Sequence, residues 1–164
     1  MVDPRLRNIH ILVVEDDSMM RKLLREMLKV VGFSQITTVQ DGFKALEILR
    51  AETVDMVITD WRMAGMDGLT LTYKVRAATD VDRFMPVLML TGKGERADVE
   101  AARDAGITEY LIKPFAAESL FTRITRIIDE PRKFVLATSY KGPDRRRKLR
   151  RPPDGMMKRR TDGD

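Results

Sequence analysis

Five short apolar runs, each closed by polar residues and each followed by helical spacing, limit this chain to few architectures. The first run, Ile9-His-Ile-Leu-Val-Val14, stops at Glu15-Asp16-Asp17. Ser18 is then placed to cap a helix in which Met20, Leu23, Leu24, Met27, Leu28 and Val31 recur at helical spacing, and Gly32 supplies its stop. Further strands are expected at 36–39, 56–59, 86–90 and 109–112. Between and after them, helices are expected behind Asp41-Gly42 (with Phe43, Leu46, Ile48 and Leu49), near 69–77, near 96–105 and near 117–129. Strands this short and continuously apolar, alternating with helices, predict an α/β fold with a doubly wound parallel sheet covered on both faces. Right-handed crossovers bring the strand ends to one edge, and ligands of such sheets bind outside the carboxyl ends.

The residues at those ends therefore decide the chemistry. Glu15 and Asp16 follow the first strand, Asp60 the third, Thr91 the fourth and Lys113 the fifth. Any one of them alone is explained as a strand end or a helix cap. Five at successive strand ends call for a shared task. Clustered carboxylates repel unless a cation joins them, and all-oxygen ligation suits Mg²⁺ or Mn²⁺. A carboxylate beside such a cation can act as a nucleophile toward a phosphoryl group. The cation and the Lys113 ammonium would neutralise charge on that group, and Thr91 would hydrogen-bond one of its oxygens.

Composition excludes several alternatives. The chain has no cysteine, so disulfides, zinc–thiolate sites and thiol catalysis are absent, and a single histidine, His10, rules out a multi-histidine metal centre. There is no apolar signal segment and no run long enough to span a membrane, so the expected location is the cytoplasm, without membrane insertion. The net charge of +5 conceals a split. Residues 131–164 hold 12 Lys/Arg and 4 Asp/Glu, whereas the preceding part holds 18 and 21. An acidic body with a basic extension points to an anionic partner for the extension.

The motifs Val13-Val-Glu-Asp-Asp-Ser-Met-Met-Arg21, Ile58-Thr-Asp-Trp-Arg-Met-Ala-Gly-Met-Asp-Gly68, Leu90-Thr91 and Tyr110-Leu-Ile-Lys-Pro-Phe115 resemble the receiver domain of bacterial two-component response regulators, of the CheY-like kind. The resemblance covers about residues 8–130. It implies strand order 2-1-3-4-5, Asp60 as phosphoacceptor, and Mg²⁺ held by Glu15, Asp16, Asp60 and the backbone carbonyl of Arg62. It also implies that Lys113 pairs with the phosphoryl group, that Thr91 and Tyr110 form a switch, and that Lys113-Pro114 is a cis peptide. A histidine kinase would be the phosphoryl source. The surface of the helix near 96–105, the fifth strand and the last helix would meet partners. Two positions depart from the family pattern. Ala64 stands where proline is usual, which implies a less rigid loop, and Gly92 follows Thr91 at a place that shapes access to the phosphoryl group. The chain is expected to be a monomeric signalling protein, not an enzyme.

The expected domains are a receiver over 1–130 and an arginine-rich extension over 131–164. Only 34 residues follow Glu130, too few for a winged helix, and no helix-turn-helix pattern is visible, so specific DNA binding is not expected. The apolar cluster Phe134-Val-Leu-Ala137 with Tyr140 either docks on the receiver as a short strand or turn, or extends the packing of the last helix. Beyond it, repeated Pro and Gly and like charge predict a segment that is disordered without a ligand.

Three readings of that arm remain open. It is a solvated tail, a generic polyanion binder, or a reader of guanine nucleotides. Arginine offers two donors to guanine O6 and N7 and stacks on a base, aspartate accepts from N1–H and N2–H₂, and neighbouring arginines hold phosphates. Arg151-Pro-Pro-Asp154 and Arg159-Arg-Thr-Asp162 share the spacing Arg-x-x-Asp, and Asp144-Arg-Arg-Arg147 precedes them. Repeated pairs of this kind suit cyclic di-GMP, with two guanines and two phosphates. The run Tyr140-Lys-Gly-Pro-Asp-Arg-Arg-Arg147 on a receiver also resembles the alphaproteobacterial Cle group of CheY-like cyclic di-GMP effectors. That resemblance implies ligand contacts from Arg145, Arg146, Arg147, Arg151, Asp154, Arg159, Arg160 and Asp162, and action at the flagellar motor switch. The alternative is a phosphorylation-driven regulator whose arm is inert or binds polyanions.

Overall fold

In the computed structural model the described residues are 2–92, 96–131, 133–136 and 140–143. After a 3₁₀ turn at Pro4–Asn8, the chain runs β1 (His10–Val14), α1 (Ser18–Val31), β2 (Gln35–Val39), α2 (Gly42–Ala51), β3 (Met56–Asp60) and α3 (Gly68–Ala77). It continues with β4 (Val87–Thr91), α4 (Arg96–Ala105), β5 (Glu109–Ile112) and α5 (Ala117–Asp129). The five strands form one parallel sheet in the order β2-β1-β3-β4-β5, as expected.

Alternation along the strands sorts the core into two layers. Ile11, Val13, Met56, Ile58, Leu88 and Leu90 face one side, where Leu24 and Leu28 of α1 and Leu120, Ile124 and Ile127 of α5 cover them. Leu12, Val14, Val57 and Met89 face the other, under Leu46 and Leu49 of α2, Leu71 and Val75 of α3 and Ala102 of α4. Because β1 pairs with β2 on one side and β3 on the other, the chain reverses its direction of travel between β1 and β3. That reversal opens a crevice at their carboxyl ends.

Helix starts at this edge are set by aspartates. Asp17, Asp41 and Asp67 accept hydrogen bonds from the amides of Met20, Lys44 and Thr70 at 2.9, 2.8 and 2.8 Å. The cap of α1 is thus Asp17, and Ser18, expected to be the cap, is the first helical residue. Both side chains suit the role, and the backbone decides: Asp17 has the extended conformation of a cap.

Of the apolar cluster after α5, Phe134–Leu136 forms a short strand, β6, which pairs antiparallel with β7 (Lys141–Pro143), as in the strand reading. The Tyr140 side chain is buried and its hydroxyl donates to the Pro143 carbonyl at 2.8 Å. The pair seats on the α3 and α4 side of the receiver. Gly106, at φ 95°, ends α4 there, and a Cβ on it would lie 2.7 Å from the Lys141 carbonyl oxygen and 3.1 Å from Cγ of Arg76. Only glycine satisfies both the conformation and the approach. Beyond residue 130, Phe134 and Tyr140 thus bury apolar surface against the receiver side of the pair.

Candidate functional site

The crevice holds the expected residues. Glu15 follows β1, its side chain 1% exposed, and Asp60 closes β3. One oxygen each from Glu15, Asp16 and Asp60 lie within 4.8 Å of one another. The Lys113 ammonium stands 3.1 Å from Oδ1 of Asp60 and 3.2 Å from Oε2 of Glu15. The backbone amide of Trp61 donates to the same Oδ1 of Asp60 at 3.0 Å. Two donors thus orient one carboxylate oxygen of Asp60. Lys113 is itself fixed from behind, its amide bonded to the Thr91 carbonyl at 2.7 Å, and Lys113-Pro114 is cis.

Sterics position Asp60 as firmly as polar contacts do. The Asp60 carbonyl oxygen accepts from the Thr59 hydroxyl at 2.9 Å. The Gly68 amide bonds the Trp61 carbonyl at 2.8 Å, closing the loop between β3 and α3. A Cβ on Gly68 would overlap the Asp60 carbonyl oxygen. The short loop can return to α3 only because that position carries no side chain.

Among the described residues of the crevice, three carboxylates and one ammonium leave two formal negative charges, which a divalent cation would offset. The electrostatics of the crevice register this imbalance. Burial, and then the neighbouring Asp60 carboxylate, push the Glu15 carboxyl above its ordinary value, against the Asp17 amide and Lys113. For Lys113, burial opposes the charged form, but hydrogen bonding and charge from Asp60 and then Glu15 outweigh it and raise its pKa. A carboxyl whose folded pKa is raised makes the fold less stable as pH rises through its titration. Glu15→Gln is therefore expected to raise the melting temperature at neutral pH without divalent metal, with the gain shrinking as pH falls below the ordinary glutamate range. Thermal unfolding of both proteins at pH 7 and pH 4 checks this, and equal melting temperatures at pH 7 would contradict it.

Of the other expected residues, Thr91 stands at the same edge and Tyr110 lies two residues before the end of β5. Thr91 is 4% exposed and follows Leu90, the register partner of Asp60. Tyr110 of β5, half-buried, pairs with Met89 and packs against the α2–α4 layer of the core. Arg62 is exposed on the loop, its guanidinium 5.7 Å from the Trp61 ring. Beside Thr91, a Cβ at Gly92 would meet no heavy atom of the described residues within 4 Å. Ala64 is exposed, next to Gly65 at φ 77°. Arg145, Arg146, Arg147, Arg151, Asp154, Arg159, Arg160 and Asp162 lie outside the described residues.

One charged residue escaped the sequence reading. Arg76 in the last turn of α3 is 2% exposed. Its Nε donates to the Gly106 carbonyl at 2.9 Å, and its Nη1 to the carbonyls of Arg83 at 2.8 Å and Met85 at 2.6 Å. A signal existed. Gly68, Leu71, Thr72, Val75 and Arg76 fall on one helical face, and all are buried.

Sequence and structure comparisons agree with this geometry. The family model described as the response regulator receiver domain matches residues 11–125. The chain is 36% identical over 123 residues to chemotaxis protein CheY-3 of Vibrio cholerae, covering 75% of this chain and 94% of that protein. It is 37% identical over 119 residues to chemotaxis protein CheY of Pseudomonas aeruginosa, covering 73% and 95%. Among solved structures, CheY4 of Vibrio cholerae superposes with a TM-score of 0.68 at 28% identity, over 73% of this chain and 98% of that one. The receiver domain of sensor histidine kinase PA1611 from Pseudomonas aeruginosa, solved with a magnesium ion in its active-site cleft, gives 0.67 at 30%, over 74% and 98%. With a five-stranded sheet in the order 2-1-3-4-5 and an acidic crevice where β1 and β3 part, this chain belongs to the response regulator receiver domain family, in its CheY-like branch.

Proposed function

We propose that this receiver accepts a phosphoryl group on Asp60, that its arginine-rich arm reads cyclic di-GMP, and that the loaded protein acts on the flagellar motor switch. The single observation that carries the first part is the Asp60 carboxylate, oriented by Trp61 and Lys113 beside two further carboxylates. Glu15, Asp16, Asp60 and the Arg62 carbonyl would hold Mg²⁺, the ion named in the cleft of the PA1611 receiver. The ion supplies charge neutralisation for the transferring group. Asp60 would attack phosphorus with its less encumbered oxygen as the P–N bond to the kinase's phosphohistidine breaks and the imidazole departs, while Lys113 moves its ammonium onto a phosphoryl oxygen and the Thr91 hydroxyl binds another. Thr91 and Tyr110, on adjacent strands, would carry that change to the α4–β5–α5 face. The part played is that of a signalling protein with a histidine kinase as donor. Incubation with acetyl phosphate and Mg²⁺ is expected to add one phosphoryl mass to the intact chain, and no gain would sink this part.

The arm reading is supported by the recurrence of Arg-x-x-Asp behind an arginine triplet in a segment joined directly to the receiver. The names of the relatives, chemotaxis proteins, support a target in motility. Among the described residues no helix is long and apolar enough to cross a membrane. Calorimetry against cyclic di-GMP, GTP, cyclic GMP and duplex DNA discriminates among the readings of the arm. Tight binding of cyclic di-GMP alone, abolished on deleting residues 144–164, is the expected result. Equal, salt-sensitive binding of every polyanion would replace it with generic electrostatics, and no binding would leave a phosphorylation-driven regulator with an inert arm.

A further inference from the structure

Residues 144–164 contain no Phe, Tyr or Trp. An arm that reads guanines thus brings guanidiniums and carboxylates but no aromatic ring for a base to stack on. The receiver presents one where the arm begins. Phe134 of β6 is the cross-strand partner of Pro143, so Asp144 directly follows the residue opposite Phe134. The Phe134 ring meets Phe84 edge to face, with centroids 4.6 Å apart and planes at 73°. The Arg76 guanidinium covers Phe134 at 5.3 Å, and Arg83 covers Phe84 at 5.4 Å.

Four planar groups thus form a row: Arg76, Phe134, Phe84, Arg83. The inner end is fixed, since Arg76 is buried and tied to three carbonyls. The outer end is open, with Phe84 52% exposed. Its backbone is held as well, because the Phe84 amide donates to Oδ1 of Asp82 at 2.9 Å and the Met85 amide to the Asp82 carbonyl at 3.2 Å. A single exposed phenylalanine is ordinary on a protein surface. One set in a braced turn, backed by a second ring, faced by an arginine and placed at the start of an arginine-rich arm has the parts of a base-binding site. An aromatic face and a guanidinium plane are the surfaces on which bases stack, and an exposed ring already held in place loses little freedom on binding.

We propose that Phe84, with Arg83 on its face, is a stacking platform for a guanine of cyclic di-GMP. This rests on the arm reading given above and adds to it a receiver residue that binds the base. The test uses the full chain, titrated with cyclic di-GMP by calorimetry, in three forms: native, Phe84→Leu and Phe84→Trp. Leucine keeps apolar bulk without a ring, and tryptophan keeps a ring. Phe84→Leu is expected to bind at least about tenfold more weakly, the order of effect that a stacked base contributes, while Phe84→Trp stays within about threefold of native. Proton spectra of the nucleotide give a second readout. The guanine H8 resonance is expected to move upfield with the native and Trp forms, through the ring current, and not with the Leu form. Unfolding midpoints report whether each variant is folded. Native binding that is unchanged in Phe84→Leu, or lowered equally in both variants, overturns the platform and leaves the arm reading intact. No binding by the native chain overturns the arm reading and the platform with it.

Discussion

Asp60→Asn is expected to abolish phosphoryl acceptance while the fold stays intact. The amide retains an oxygen that accepts from the Trp61 amide and from Lys113, the contacts Asp60 Oδ1 makes at 3.0 and 3.1 Å, so the local hydrogen bonds survive. What disappears is the second anionic oxygen, and with it the nucleophile and one charge toward the cation. The change also relieves repulsion, since the Asp60 carboxylate is one of the causes that raise the Glu15 pKa. The variant should therefore melt no lower than the native chain in metal-free buffer. Intact-mass measurement after acetyl phosphate and Mg²⁺ reads the loss. A mass gain that persists in Asp60→Asn would place the acceptor elsewhere and overturn the assignment.

The largest stability effect is expected at a residue with no part in that chemistry. Arg76→Ala should cost about 3 kcal/mol or more, because three carbonyl oxygens lose their donor and a long side chain leaves a cavity. For a chain of this size that corresponds to a fall in melting temperature of about 6–12 °C. Burial draws the Arg76 pKa down to about 10, with Tyr140 and Asp82 opposing, so the group remains a cation at neutral pH. It also lies over the Phe134 ring, so its removal should loosen the seat of β6 and β7. Amide exchange at Val135 and Gly142 would report that loosening. Arg50→Ala is the contrast: its 2.8 Å ion pair with Asp80 is more than half exposed at both ends, and its loss should cost no more than about 1 kcal/mol. Equal costs at the two arginines would refute the reading of Arg76 as the pin beneath the hairpin.

Much of the site was legible in the order of residues alone, and the reason is local. Strands β1, β3 and β4 are buried on both faces, so their sequences are nearly continuous apolar runs, and the polar residue that closes or follows each run marks its end. Parallel strands put those ends at one edge, so Glu15, Asp60, Thr91 and Lys113 had to converge. The cap of α1 was misassigned by one residue because Asp17 and Ser18 are chemically equivalent for the task, and only backbone geometry separates them. Arg76 was overlooked because a charge is expected to face solvent. It becomes a buried anchor only when Arg83, Met85 and Gly106, from two other loops, turn their carbonyls toward it.

By itself, the sequence determined the fold class, the catalogue of groups at the sheet edge and the charge asymmetry between body and arm. All three follow from short-range pattern: hydrophobic period, strand length and the identity of the residue that ends each run. Tertiary structure alone decided the 3 Å spacing of Lys113 from Asp60 and Glu15, the fit of Gly68 against the Asp60 carbonyl and of Gly106 beneath β7, and the row of rings and guanidiniums at the root of the arm. These depend on backbone segments far apart in the chain meeting at close range, where a single Cβ or a single carbonyl direction sets the outcome. No local pattern encodes that meeting, because its energy belongs to the pair of segments and to neither one alone.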